Sequence, residues 1–172
     1  MTATLVKLKR KGQRKLMMFS HVTILFAALL LTGLALLSWT DIRNYRLPDI
    51  YTFPLMGIGL AEGYLSGDLS SRVIGLTLGY AVFVFIEKGF KTLRGKDGLG
   101  RGDAKLLAAG GAWCGWVGLP FIVLIASGLG LAAALLPSVR NSAKNGRIPF
   151  GPFLALAIFM VWAANIYVQS NG

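Results

Sequence analysis

The sequence predicts an all-α fold, a polytopic membrane helix bundle of about six transmembrane helices. Hydrophobic residues fill 55% of the 172 positions and charged residues only 15%, against about a quarter charged in soluble domains. Mean hydropathy is +0.62, which excludes a disordered tail and an ordinary water-soluble domain. The apolar residues also gather into runs that approach the ~20 residues needed to cross a bilayer as a helix. Six such runs would use about 120 residues, so one compact bundle is expected, with no second folded domain.

The first run, 16–40, follows a basic stretch and opens like a signal peptide. Its apolar core over 22–37 is long for one and no clear Ala-x-Ala site follows, so a retained helix is expected. The second and third runs, 50–65 and 73–86, are short, contain glycine and suit tilted helices. The fourth, 105–117, is rich in Ala and Gly over 108–115 and is too short to span unless it continues towards Pro120. The fifth and sixth, 119–137 and 150–168, are long enough without help. Gly75/Gly79 and Gly111/Gly115 are small-xxx-small pairs that let helices pack closely. The four tryptophans, Trp39, Trp113, Trp116 and Trp162, fit interfacial belts or core packing.

Lys and Arg total 18 against 7 Asp and Glu, a formal net charge of +11. In a soluble protein that balance would raise nucleic acid as a partner. Here the basic residues sit at the ends of apolar runs, so the positive-inside rule and anionic lipid account for them. The bilayer is the expected partner and nucleic acid is not. With six spans, three loops share a side and carry Arg43 and Arg46, then Lys88, Lys91, Arg94, Lys96, Arg101 and Lys105, then Arg140, Lys144 and Arg147. The other side has Arg72 and the tail cations Lys7, Lys9, Arg10, Lys11, Arg14 and Lys15. The rule therefore places the three loops in the cytoplasm, against the pull of the tail. Translation starting at Met17 or Met18 would remove that conflict; amino-terminal sequencing that found the tail intact would exclude it. The expected organisation is a basic tail over 1–18 and a single membrane-embedded domain over 19–172.

Lone residues exclude several chemistries. Cys114 is the only cysteine, so no intrachain disulfide or Cys-rich zinc site is available. His21 is the only histidine, which excludes a histidine-based triad or a multi-histidine metal site; it is expected to be packed or interfacial. Of the seven acidic residues, Glu62, Asp68, Glu87 and Asp97 read as solvated or interfacial. Asp49, after Pro48, reads as a helix-start residue favoured by the dipole. Asp41 and Asp103 differ. The first ends the run over 34–39 and the second opens the fourth run, so both adjoin the same cytoplasmic side. Either alone is as readily an interfacial cap as a functional group, yet an ionisable group at membrane depth is a functional candidate. Asp103 also follows Gly98-Leu-Gly100-Arg-Gly102, a glycine-rich approach to a membrane helix. Glycine there permits positive φ and close backbone approach, as a wet cavity admitting an extended peptide would need. Lys105 is expected to snorkel to the interface.

Taken together, Asp41-Ile-Arg-Asn-Tyr-Arg-Leu-Pro48-Asp49 and Gly100-Arg-Gly102-Asp103-Ala-Lys105-Leu-Leu-Ala-Ala resemble the bacterial type IV prepilin peptidase family. These are membrane aspartyl proteases of the Gly-x-Gly-Asp type. Arg147-Ile-Pro-Phe-Gly-Pro-Phe153 is similar to the family as well, and the resemblance runs from about Leu34 to the carboxyl terminus. It implies catalytic roles for Asp41 and Asp103, with Gly100, Gly102 and Pro48 as supporting motif residues. The substrate it implies is a pilin-like precursor, a short basic leader ending in glycine before a hydrophobic helix. It also implies the bacterial inner membrane, with the active site facing the cytoplasm. Two facing carboxylates would share a proton and activate water, so the chemistry needs no metal or cofactor. Larger family members carry a cytoplasmic domain with paired Cys-x-x-Cys zinc motifs, associated with methylating the new amino terminus. With one cysteine, this sequence resembles the short peptidase-only form, and methyltransferase activity is not carried over. The rival reading is a small cation-coupled transporter or channel subunit using the paired aspartates, although no convincing inverted repeat supports it. Oligomeric state is not legible.

Overall fold

The computed structural model describes the backbone over 2–94, 100–136 and 149–171, and side chains over 21–85, 100–136 and 149–169. It is all-α, and no strand occurs among the described residues. The helices are α1 (Thr2–Asn44), α2 (Asp49–Ser66), α3 (Leu69–Arg94), α4 (Arg101–Leu135) and α5 (Gly151–Asn171). The stretches His21–Asn44, Arg101–Leu135 and Gly151–Gln169 are long and apolar enough to cross a membrane, and Leu69–Phe85 is a shorter apolar stretch. This is a membrane protein. Its outer faces carry exposed Ile24, Leu25, Phe85 and Leu124, as contact with lipid requires.

Local chemistry sets the helix ends. α1 closes where Tyr45 turns into the left-handed region (φ 51) and its N–H donates to the Asp41 carbonyl over 2.8 Å. Pro48, extended at φ −68 and ψ 137, then caps α2, and its carbonyl accepts from the N–H groups of Tyr51 and Thr52. Gly67 ends α2 at φ 79, and the Asp68 N–H reaches back to the Gly63 carbonyl over 2.9 Å. That glycine turn sends α3 back alongside α2.

Among the described residues the six expected runs fall in five helical elements, because the fourth and fifth lie within α4. The helix breaks at Gly115 (φ 72, ψ 177), two residues before the end of the expected fourth run, and Pro120 lies in the following helical stretch without ending it. A Cβ on Gly110 would lie 3.2 Å from the Ile122 side chain. Twelve residues of straight helix would hold the two about 18 Å apart, so the chain folds back at Gly115. The first arm, 101–114, is about 21 Å long, short of the ~30 Å hydrocarbon core.

That first arm is the centre of the bundle, with Leu106 through Gly115 all buried. Its Ala/Gly composition lets other helices come within backbone contact. A Cβ on Gly75 would sit 2.5 Å from the Gly111 carbonyl oxygen, and one on Gly79 would sit 2.8 Å from that of Leu107. The two glycine pairs therefore pack α3 on α4, as their spacing indicates. Trp113, fully buried, donates from Nε1 to the Leu55 carbonyl over 2.8 Å, and Trp162 packs edge-on against it. Trp39 and Trp116 are exposed, as is His21.

One acidic residue departs from expectation. Glu62 is not solvated; it is buried and pairs with the equally buried Arg72 over 2.7 Å. The cause lies in the break at Gly115. The last carbonyls of a helix have no intrahelical donor, and Arg72 Nη1 donates to those of Ala112 (3.4 Å) and Trp113. Glu62 balances the charge this brings inside. The side chains of Glu87, Asp97, Lys88, Lys91, Arg94, Lys96, Arg140, Lys144, Arg147 and the tail cations lie outside the described residues.

Candidate active site

Asp41 and Asp103 arrive from separate helices at the same end of the bundle. Asp41 occupies the last turn of α1 and is 6% exposed. Its Oδ2 accepts a hydrogen bond from the Gly151 N–H at the start of α5, over 2.8 Å. Asp103 lies in the first turn of α4, where its own N–H donates to the Gly100 carbonyl over 3.0 Å. Both aspartates line one cavity of about 300 Å³, together with Tyr45, Arg46, Leu47, Gly100, Arg101, Gly102 and Lys105.

Gly100 and Gly102 act through space rather than through special backbone angles, while Gly98 lies outside the described residues. Gly100 is extended (φ −74), and Gly67 and Gly115 are the positive-φ glycines among the described residues. Of the two expected uses of glycine, positive φ is absent at Gly100 and Gly102 and close approach is present. A Cβ on Gly102 would fall 3.0 Å from the Leu47 side chain, and one on Gly100 would fall 3.4 Å from Asp103 Oδ2. Buried Leu47 comes from the α1–α2 connection, so Gly102 lets that connection close over the start of α4. Pro48 does not line the cavity; it caps α2 immediately behind Leu47.

Lys105 differs from expectation as well. Instead of snorkelling freely, its Nζ meets Asp49 Oδ1 over 2.5 Å and lies 5.9 Å from the Phe53 ring centroid. Asp49 does start α2, and it also ties that helix to α4. Two features around Asp41 were not singled out from the sequence. Tyr45 carries a left-handed backbone that no residue-type signal announces, since Tyr seldom adopts it. Gly151 falls inside the third family-like motif, which was the available signal, but its contact with Asp41 spans 110 residues.

This arrangement suits acid–base chemistry. Two carboxylates in one partly enclosed space can hold one proton between them, one accepting from water while the other donates. Arg46, Arg101 and Lys105 give the rim a positive charge.

Comparison with known proteins agrees in kind. The sequence model of the type IV leader peptidase family matches residues 28–135, a stretch that contains both aspartates. The chain is similar to the "Prepilin leader peptidase/N-methyltransferase" of Aeromonas hydrophila, 44% identical over 146 residues, which covers 81% of this chain and 50% of that protein. The Pseudomonas aeruginosa protein of the same name is 38% identical over 155 residues, covering 85% and 53% respectively. The Escherichia coli one is 44% identical over 122 residues, covering 70% and 54%. The chain thus spans about half the length of these curated relatives. No solved structure matches it.

Proposed function

Because the chain belongs to the type IV leader peptidase family, we propose that it is an aspartic endopeptidase that removes the leader from type IV prepilin or pilin-like precursors. Cleavage takes place at the cytoplasmic face of the bacterial inner membrane, the side to which the positive-inside rule assigns the cavity residues Arg46, Arg101 and Lys105. The observation that carries this reading is the single cavity shared by Asp41 and Asp103. Under it, these two are the catalytic residues, and Gly100, Gly102 and Pro48 shape their surroundings.

The reaction follows from the pair. The ionised aspartate takes a proton from water as the water oxygen attacks the scissile carbonyl carbon. The protonated aspartate gives its proton to the carbonyl oxygen, producing a neutral tetrahedral diol. Collapse of the diol breaks the C–N bond, its hydroxyl proton returns to one carboxylate, and the leaving nitrogen takes a proton from the other. The pair is left with one proton, ready for another cycle. The positive rim fits the acidic groups of a substrate or of lipid rather than a basic leader.

Reconstitution in liposomes with a synthetic pilin-like precursor tests the proposal. Wild type should release the leader, while Asp41→Asn and Asp103→Asn should both be inactive. Cleavage by either variant at the wild-type rate would remove that aspartate from the mechanism.

A further inference from the structure

The amino end of α5 meets the cavity residue Asp41 through one backbone donor. Helix-start N–H groups lack intrahelical acceptors, and α5 disposes of them unevenly. Pro152 has no N–H, and those of Phe153 and Leu154 both donate to the Phe150 carbonyl over 3.1 Å. The Gly151 N–H is directed instead at Asp41 Oδ2, 2.8 Å away. We infer that Gly151 is a positioning residue for the reaction, its amide N–H holding Asp41 Oδ2 so that Oδ1 faces water and substrate. This rests on the peptidase reading above.

The position admits no side chain. Gly151 is buried, and a Cβ there would stand 2.6 Å from Asp41 Oδ2 and 3.0 Å from its Cγ. Any other residue would push the carboxylate away from the donor that holds it. The dipole of α5 reinforces the contact, because its positive end faces the carboxylate. Asp41 is otherwise carried on the final turn of α1, next to the Tyr45 turn, where a side chain without an anchor would sample several rotamers. A backbone donor has no rotamer of its own, so it fixes the carboxylate more firmly than a side chain would.

The test removes the N–H alone. Glycolic acid in place of Gly151, introduced by nonsense suppression, converts the amide to an ester and adds no atoms. The liposome assay should show kcat lower by about ten- to hundredfold, as expected for losing one hydrogen bond to a charged group. KM should stay within about twofold, because substrate binding does not use this bond. Gly151→Ala should lose kcat at least as severely, with the protein still recovered in the membrane fraction. Wild-type kcat in the ester variant would overturn the inference, as would a loss confined to KM. Asp41→Asn, assayed in parallel, separates the two claims. If it is inactive while the ester variant is normal, only the role of Gly151 fails; if it remains active, the peptidase role of Asp41 fails and the inference falls with it.

Discussion

Removing Glu62 or Arg72 should each damage the fold severely, and removing both should damage it less than removing Arg72 alone. The pair is buried, with side chains 11% and 6% exposed and an Nη1–Oε2 distance of 2.7 Å. Truncating one member leaves an uncompensated charge away from water, which costs about 3–5 kcal/mol. Glu62→Leu should cost somewhat less than that, because Arg72 Nε keeps the half-exposed Asp68 carboxylate at 3.8 Å. Arg72→Leu strands Glu62 and also takes donors from the Ala112 and Trp113 carbonyls. An orphaned buried acceptor adds about 1–3 kcal/mol. In Glu62→Leu/Arg72→Leu no charge is left unpaired, and only the carbonyl cost remains. The double-mutant cycle should then show a coupling of at least about 2 kcal/mol. SDS titration of the purified variants in mixed micelles, read by circular dichroism, supplies the four stabilities. Strictly additive single-mutant losses would refute the reasoning, since they would mean that the two side chains do not share one desolvated site.

Other perturbations follow from single contacts. Gly111→Ala would drive a Cβ into the Gly75 backbone, so a stability loss of about 1–3 kcal/mol is expected in the same titration. Gly102→Val would push Leu47 off the start of α4; a displacement near 1 Å at a catalytic group should lower kcat about a hundredfold in the liposome assay. Tyr45→Val puts a β-branched residue at φ 51 and should cost about 1–2 kcal/mol of stability, whereas Tyr45→Asn should be nearly neutral. Asp49→Asn breaks a half-exposed pair with Lys105 and should change stability by less than about 1 kcal/mol.

Much of this was legible because hydrophobic runs and small residues report directly on membrane helices. The all-α class followed from composition, and close helix packing followed from the Gly75/Gly79 and Gly111/Gly115 pairs, although which helices they join, α3 and α4, did not. Asp41 and Asp103 stood out because charge at the edge of an apolar run is costly. The break at Gly115 was hidden for a physical reason. Gly110, Gly111, Gly115 and Gly118 are alike in sequence, and only tertiary packing decides which one leaves the helix, while Pro120 was the visible breaker. Glu62 and Arg72 looked ordinary at the ends of their runs, because what brings them inside is a set of carbonyls freed by that break. Gly151 was in view as part of a motif, but a backbone N–H directed across 110 residues leaves no trace in residue type.

The most direct test of the two-aspartate peptidase is the intact mass of a prepilin from the same genome, co-expressed with this chain. The account predicts that wild type lowers that mass by the leader, and that Asp41→Asn and Asp103→Asn each leave the precursor whole. An unshifted precursor beside well-folded wild type, or a shifted one beside either variant, would contradict it.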